Sequence, residues 1–512
     1  MSAVAQIEIA EPSSHKATRS QIRGSGLLVM GYVLELAINF LPHLLLVRYL
    51  TTASYGTWAY AISLITAFQT FTLCLNDGLQ RFVPIYHEQR DYGRLFGCIV
   101  VAFGTTVAIG CAFISAFYFA PHAVAKVLQE KQAINLLLLL VVLIPVEAVE
   151  VMLMRLFACF HKARQIFYLQ HVATPMCRLI LVLLLIVWSK DLKFLALGRI
   201  AIAIPTTILY GWMLVRLMRQ EGLFRDLRHR IVLPFRQMFY FSSPMILSTA
   251  LSMLENALIV LLLQRSHGIT AVAFYRVVLP LAAINNMVMN AFSWLYVPSA
   301  ARLLARNDYS GINHLYWRTA GWICVLTFPI FAITFCFAGP FTTFLYGSRY
   351  AQSAMVLAVL AIANYSNVAL GFNGVTLKVL GKIKYVLAAN LTTSTVKISL
   401  FFLLIPWLGP IGAALAFATG VLVYNLLMQL GLHSAARVQL FEKEYLSFFL
   451  MIAFSTCCLL SIRLLTGNNI YLAGTFTLLA SWMVLITARK QLKIAETFPE
   501  MRRLPLVGHL FA

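Results

Sequence analysis

The chain has 512 residues, 61% of them hydrophobic and only 11% charged, with a formal charge of +22 and a mean hydropathy of +0.82. Soluble domains carry about 25% charged residues, so no long stretch of this sequence reads as a soluble enzyme. The surplus Lys and Arg sit in short segments between apolar runs, which points to orientation in a bilayer and away from nucleic acid.

The first 23 residues are polar and carry Glu8 and Glu11 ahead of any apolar stretch. They read as a cytoplasmic tail, not a cleavable signal peptide. Apolar runs of bilayer length follow, and such runs span as helices because lipid offers the backbone no hydrogen-bond partners. They are too long for barrel strands. Predicted helices fall near 24–47, 55–78, 95–119, 133–156, 167–188, 194–215, 238–264, 270–297, 316–338, 351–373, 383–405, 411–432, 445–465 and 468–488. The first two are separated by a short turn at Tyr55-Gly56, which predicts a tight hairpin. With these fourteen spans, 28 Lys and Arg lie on one side and 7 on the other. That bias makes the count even and both termini cytoplasmic. The nine cysteines lie in or beside apolar runs without zinc-site spacing and read as packing residues.

An offset of 217 residues lays Asn39 on Asn256, Arg48 on Arg265 and Asp91-Tyr92 on Asp308-Tyr309 without a gap. Six helices per repeat is an even number, so the two copies enter the membrane from the same side. The expected architecture is an all-α polytopic membrane protein. Its parts are a tail (1–23), an N-lobe of helices 1–6 (24–215), a basic cytoplasmic linker (216–237), a C-lobe of helices 7–12 (238–432), a terminal helix pair (433–488) and a second cytoplasmic tail (489–512). Parallel repeats of this kind place substrate between the lobes near the midplane.

Several ordered motifs carry a family resemblance. They are Tyr55-Gly56-Thr57-Trp58-Ala59, then Asp77-Gly78-Leu79-Gln80-Arg81-Phe82-Val83-Pro84, then Ala273-Phe274-Tyr275-Arg276 with Pro298 and Arg302. Phe344-Leu345-Tyr346-Gly347-Ser348-Arg349-Tyr350-Ala351 follows, and then Leu380-Gly381-Lys382 and Gly409-Pro410-Ile411-Gly412-Ala413-Ala414. With the helix count, they make helices 1–12 similar to the polysaccharide-export or O-antigen flippase branch of the multidrug/oligosaccharidyl-lipid/polysaccharide exporter superfamily. The resemblance implies movement of a lipid-linked oligosaccharide across a bacterial inner membrane. It also implies membrane lipids, a coupling H⁺ or Na⁺ and polysaccharide polymerase machinery as partners, with no cofactor and no enzymatic activity.

Five basic residues fall inside predicted spans: Arg178, Arg199, Arg276, Lys397 and Arg463. A mid-bilayer charge costs at least about 2.5–3.5 kcal/mol, so each needs a reason. Arg178 and Lys397 sit near the middle of helices 5 and 11, which the repeat makes equivalent. Arg199 and Arg276 lie near the outer ends of helices 6 and 8, where they line the same cavity or snorkel to the headgroups. The substrate implied by the resemblance bears a polyprenyl pyrophosphate, which Arg binds bidentately and Lys as a point charge. Asn286 and Asn290, with Asn285, Ser293, Asn364 and Asn367, either meet the sugars or bond helix to helix. Glu35, Asp77, Glu147, Glu150 and Glu255 are candidates for coupling or gating. Two readings stand for them: a carboxyl that gains and loses a proton, or a fixed Glu–Arg pair.

Two other functions share some of these features. A cation-coupled multidrug exporter has the same architecture but calls for an acidic cavity. A membrane polysaccharide polymerase or ligase calls for a large external loop, and the predicted loops on that side are short. The sequence has no nucleotide-binding loop, HExxH or nucleophile elbow.

Overall fold

The computed structural model describes residues 38–74, 76–119, 131–160, 167–188, 191–224, 231–436, 438–439, 442, 445–466, 469–489 and 492. The predicted N-terminal tail, nearly all of the predicted C-terminal tail, most of the first predicted helix with Glu35, and part of the basic linker lie outside the described residues. Every described element is a helix. Among the described residues nine helices are long and apolar enough to cross a membrane, and one bent pair makes a tenth. The chain is a multi-pass, all-α membrane protein.

The first described helix, α1, covers 38–49 and is followed by α2 (Thr52–Thr72). The sequence predicts a single helix to residue 78, but the polar Asn76-Asp77-Gly78 segment breaks it. A turn closes from Asn76 N to Leu73 O (3.0 Å), and a separate α3 (Asp77–Glu88) begins. On α3, Leu79, Val83 and Tyr86 fall on one buried face while Gln80, Arg81 and Glu88 are exposed. That is the period of a half-buried amphipathic helix. Next come α4 (Tyr92–Phe119), α5 (Lys131–Leu140) and α6 (Leu143–Cys159). The single span predicted at 133–156 is bent by 43° between α5 and α6. Pro145 stands in the first turn of α6, where its missing N–H removes the bond that would carry the helix through.

A π-helical turn (Phe167–Ala173) continues into a regular helix, and together they form α7 (Phe167–Trp188); α8 spans Leu192–Gln220. Then come α9 (Phe235–His267), α10 (Ile269–Arg276), a single turn at Leu279–Ala282 begun by Pro280, and α11 (Ile284–Ala305). The chain continues as α12 (Tyr309–Phe335), α13 (Ala338–Tyr346), α14 (Ser353–Ala369) and α15 (Asn373–Val379). Helix α16 (Ile383–Ala436) holds the two predicted helices 383–405 and 411–432 as arms either side of Gly409, at φ 55° and ψ −130°. Only glycine takes that backbone cheaply. The last two helices are α17 (Leu446–Thr466) and α18 (Ile470–Ala488).

By contacts the chain divides into two compact units. Among the described residues, the first comprises 38–43, Thr72–Ala112 and Val142–Ser242. Its core joins Leu79, Val83 and Tyr86 of α3 to Phe96, Val101, Met152, Leu156, Tyr210 and Leu214. The second comprises Leu44–Phe71, Phe113–Val141 and the described residues from Ser243 on. Its core is built on Tyr316, Trp317, Phe328 and Phe331 of α12. The terminal helix α18 packs along α12 through Ala473, Ala480 and Val484.

Candidate functional site

Each unit holds its own intramembrane ion pair, and the two differ in chemistry. In the first unit the carboxylates come from α6, where Glu147 and Glu150 are three residues apart and share a face. Thr174 and Arg178 lie one turn apart on α7. Arg199, Ala203 and Thr206 form a stripe on α8. These residues line a narrow pocket. Arg199 grips Glu147 with both ends of its guanidinium: Nε to Oε1 at 3.0 Å, and Nη2 to Oε1 at 2.9 Å and to Oε2 at 3.3 Å. Arg178 stands 4.0 Å from the same carboxylate, with its side chain 40% exposed against 7% for Glu147. Thr174 Oγ1 lies 3.3 Å from a Glu150 carboxylate oxygen and 2.6 Å from the Tyr210 hydroxyl. The Tyr210 hydroxyl donates to Leu169 O in the π-turn at 2.9 Å, which ties the start of α7 to α8.

In the second unit Lys397 of α16 reaches Glu255 of α9 at 2.5 Å, with side-chain exposures of 16% and 14%. Its aliphatic stem lies across Gly420 of the second arm of α16, where any Cβ would overlap Lys397 Cγ and Cδ. The pair lies on the wall of a cavity of about 330 Å³. Ser248, Ser252 and Glu255 present one face of α9, and Asn364 and Asn367 one face of α14. Asn390, Thr393, Ser394 and Lys397 present one face of the first arm of α16, with Phe417 and Tyr424 on the second. Asn286 enters from α11.

The predicted site residues therefore separate into groups. Arg178, Arg199, Glu147 and Glu150 meet in the first unit; Lys397, Glu255 and Asn286 meet in the second. Asn290 is exposed on α11 and is not among the residues lining that cavity. Asp77 opens α3. Arg276 ends α10 beside Tyr55 and Tyr275, with its Nε buried and lacking a hydrogen-bond partner. Arg463 donates to Cys336 O at 3.2 Å.

Three of the sequence motifs converge in the second unit. Tyr350 packs edge-on against Tyr55 and Phe274 at 6.2 Å each. Arg48 donates to Leu345 O (2.7 Å) and Phe344 O (2.6 Å), the last carbonyls of α13. Arg349 in turn donates to Val47 O (2.5 Å) and Arg48 O (2.6 Å), at the end of α1. Each arginine thus satisfies the carbonyls that the other's neighbouring helix leaves unpaired, at the negative end of its dipole. Sequence reasoning placed Arg48 in the repeat and Arg349 in a family motif, but did not foresee that each would cap the other's neighbouring helix. It also passed over Asn390, Thr393, Ser394, Asn373 and Asn425, although the polar spacing on α16 signals a face.

The fold has known counterparts. Over 92% of this chain and 99% of the other, it superposes on the lipid II flippase MurJ in an inward closed conformation with a TM-score of 0.70 at 14% identity. An inward-facing MATE-family multidrug resistance transporter of the MOP superfamily matches with a TM-score of 0.61 at 10% identity, covering 79% of this chain and 96% of that one. The Vibrio cholerae MATE transporter VcmN matches with a TM-score of 0.56 at 14% identity, covering 84% and 99%. The sequence matches no curated protein. Residues 45–355 match the family described as polysaccharide biosynthesis protein. That match spans more than half of the chain and agrees with the motif resemblance, so the chain belongs to the polysaccharide biosynthesis protein family.

Proposed function

We infer that the chain is a flippase rather than an enzyme. It carries a polyprenyl-pyrophosphate-linked oligosaccharide from the cytoplasmic to the outer leaflet of a bacterial inner membrane, for lipopolysaccharide or exopolysaccharide assembly. Transport runs by alternating access between two six-helix lobes of a fourteen-helix chain with both termini cytoplasmic. The observation that carries this reading is Arg178. It stands 4.0 Å from a buried carboxylate that Arg199 already neutralises at 2.9 Å, and its own side chain is 40% exposed. Such a guanidinium takes a phosphate oxygen without stripping Glu147 of its counter-charge. Family membership and the likeness to a lipid II flippase support the same reading. Glu150, with Glu35 and Asp77, supplies the carboxyl groups through which a proton or sodium gradient drives the cycle, while Glu147 and Glu255 are held in closed pairs with Arg199 and Lys397.

The test is leaflet exchange of a fluorescent lipid-linked oligosaccharide in proteoliposomes. The wild-type chain should speed exchange, and an Arg178→Gln variant should lose most of that gain. Ion-dependent efflux of cationic dyes without glycan exchange would assign the multidrug-exporter reading instead.

A further inference from the structure

The cavity of the second unit has a composition of its own, and its amide groups are oriented by the chain itself. Gly374 N–H donates to Asn373 Oδ1 (2.6 Å), which leaves Asn373 Nδ2 to donate to Asn425 Oδ1 (3.0 Å). Asn425 Nδ2 donates to Asn367 Oδ1 (3.2 Å), Asn367 Nδ2 to Asn286 Oδ1 (3.1 Å), and Asn286 Nδ2 to Asn364 Oδ1 (2.5 Å). Asn364 Nδ2 ends the run on Leu360 O at 2.8 Å. A backbone N–H can only donate and a carbonyl can only accept, so both ends fix the direction of all five carboxamides. Asn286, Asn364 and Asn367 are the members that line the cavity. Each carboxamide has two donor hydrogens and two acceptor positions. The chain uses part of that capacity and holds the rest in fixed orientation.

Thr393 supplies a second, independent observation. It lines the same cavity, is 5% exposed, and its Oγ1 is buried with no hydrogen-bond partner. A buried hydroxyl left without a partner is costly unless something polar meets it. The charges on the wall, Lys397 and Glu255, cancel across 2.5 Å. An anion entering here would have to draw Lys397 off Glu255 and leave a carboxylate beside itself in a poorly solvated space. The cavity therefore offers oriented amides and hydroxyls, the aromatic faces of Phe417 and Tyr424, and no net charge. Its volume of about 330 Å³ lies within the range of small-molecule sites, roughly 300–1,000 Å³.

We propose that this cavity is a subsite for one uncharged sugar residue of the substrate, read by Asn286, Asn364, Asn367 and Thr393, and that it does not bind the pyrophosphate. The proposal rests on the flippase reading and divides its substrate. Sugar hydroxyls or an acetamido group engage the oriented carboxamides, and the C–H face of the ring packs on the aromatics. The Lys397–Glu255 pair holds α9 against α16 and keeps the cavity neutral.

The experiment measures binding to the full chain in nanodiscs with three probes: a lipid-linked neutral disaccharide, the same polyprenyl pyrophosphate without sugar, and inorganic pyrophosphate. The disaccharide-bearing lipid should bind more tightly than the bare carrier. Asn364→Leu and Thr393→Val should each weaken it about ten-fold, the loss of one or two good hydrogen bonds. Binding of the bare carrier should stay within about two-fold, which also reports that the variants are folded. Equal loss for both lipids, or inorganic pyrophosphate competing in a way that Lys397→Met abolishes, would overturn the subsite. Leaflet exchange is followed in parallel. Exchange by the wild-type chain with no change of sugar preference in the Asn364 and Thr393 variants refutes the subsite alone. Absence of exchange by the wild-type chain refutes the transport reading beneath it.

Discussion

The pair between Glu147 and Arg199 makes a quantitative prediction, because its geometry separates what holds the first unit together from what meets substrate. Glu147 is 7% exposed and Arg199 19%, and the guanidinium contacts both carboxylate oxygens. Removing one member of a buried pair costs about 3–5 kcal/mol, since the other charge is left uncompensated. Arg178 stands 4.0 Å from Glu147 and takes up part of that charge. The expected loss for Arg199→Met is therefore about 2–3 kcal/mol. Removing both charges together, Glu147→Gln with Arg199→Met, should return stability to within about 1 kcal/mol of wild type, because no charge is stranded. The assay is a double-mutant cycle of reversible denaturation of the purified full chain in mixed micelles. A double variant as unstable as Arg199→Met alone would refute the reasoning and show that Arg199 acts through packing of its stem on α8.

Arg178→Gln should lower stability by no more than about 1 kcal/mol, the range for a partly solvated ion pair, while slowing glycan exchange at least ten-fold; a stability loss as large as that of Arg199→Met would make Arg178 structural. Arg48→Ala and Arg349→Ala should each lower stability by about 1.5–3 kcal/mol, the range for hydrogen bonds to a charged group, in the same denaturation assay. Gly420→Ala sets a methyl against the Lys397 stem and should cost about 1–3 kcal/mol by overpacking, while Gly474→Ala, inside α18 with nothing within 4 Å of its Cβ, should stabilise by about 0.5–1 kcal/mol. The Asp308 carboxyl caps α12, and hydrogen bonds from Gly311 N (2.8 Å) and Ser310 Oγ (2.9 Å) hold it below its ordinary value. Its contribution is present above the unfolded pKa of about 3.9 and is lost as pH falls through the lower folded value. The melting-temperature gap between wild type and Asp308→Ala should therefore close as the pH is brought below about 4.

Hydropathy exposes the spans but not their breaks. The run at 133–156 reads as one helix because its residues are uniformly apolar, yet Pro145 forces the 43° bend that starts α6. The run at 55–78 ends early because Asn76 and Asp77 favour a turn, and the residues beyond it have an amphipathic period that a window tuned to bilayer spans does not register. Gly409-Pro410 marks its turn in plain sight. Among site residues, burial of charge in lipid singles out Arg178, Arg199, Lys397, Glu147 and Glu255 one at a time, because each is expensive there. Which cation meets which acid depends on how α6, α7 and α8, or α9 and α16, are rotated against one another, and no local pattern encodes that. The asparagine chain was half legible for the same reason. Asn286, Asn364 and Asn367 stand out as polar residues in apolar helices, but Asn373 sits just after the Gly371 turn, where asparagine is unremarkable. Its partner Asn425 lies 52 residues away in sequence.

Under the proposed flippase reading, the chemistry of the first unit's pair suits an anion and that of the second unit's cavity suits a sugar. Where two arginines converge on Glu147, with Glu150 beside Thr174 nearby, the more exposed Arg178 has reach to engage a concentrated anion while the buried pair keeps its own balance. Where one lysine closes on one glutamate, the wall is neutral, and recognition passes to carboxamides whose direction is set by a backbone N–H at one end and a carbonyl at the other. A lipid-linked glycan presents both chemistries: a charge that must be compensated before it leaves the interface, and rings whose hydroxyls need partners once water is gone. A drug-like cation presents neither. That mismatch, more than any likeness of fold, is why the glycan reading is preferred to the multidrug one, and measuring sugar preference separately from anion binding exposes the division directly.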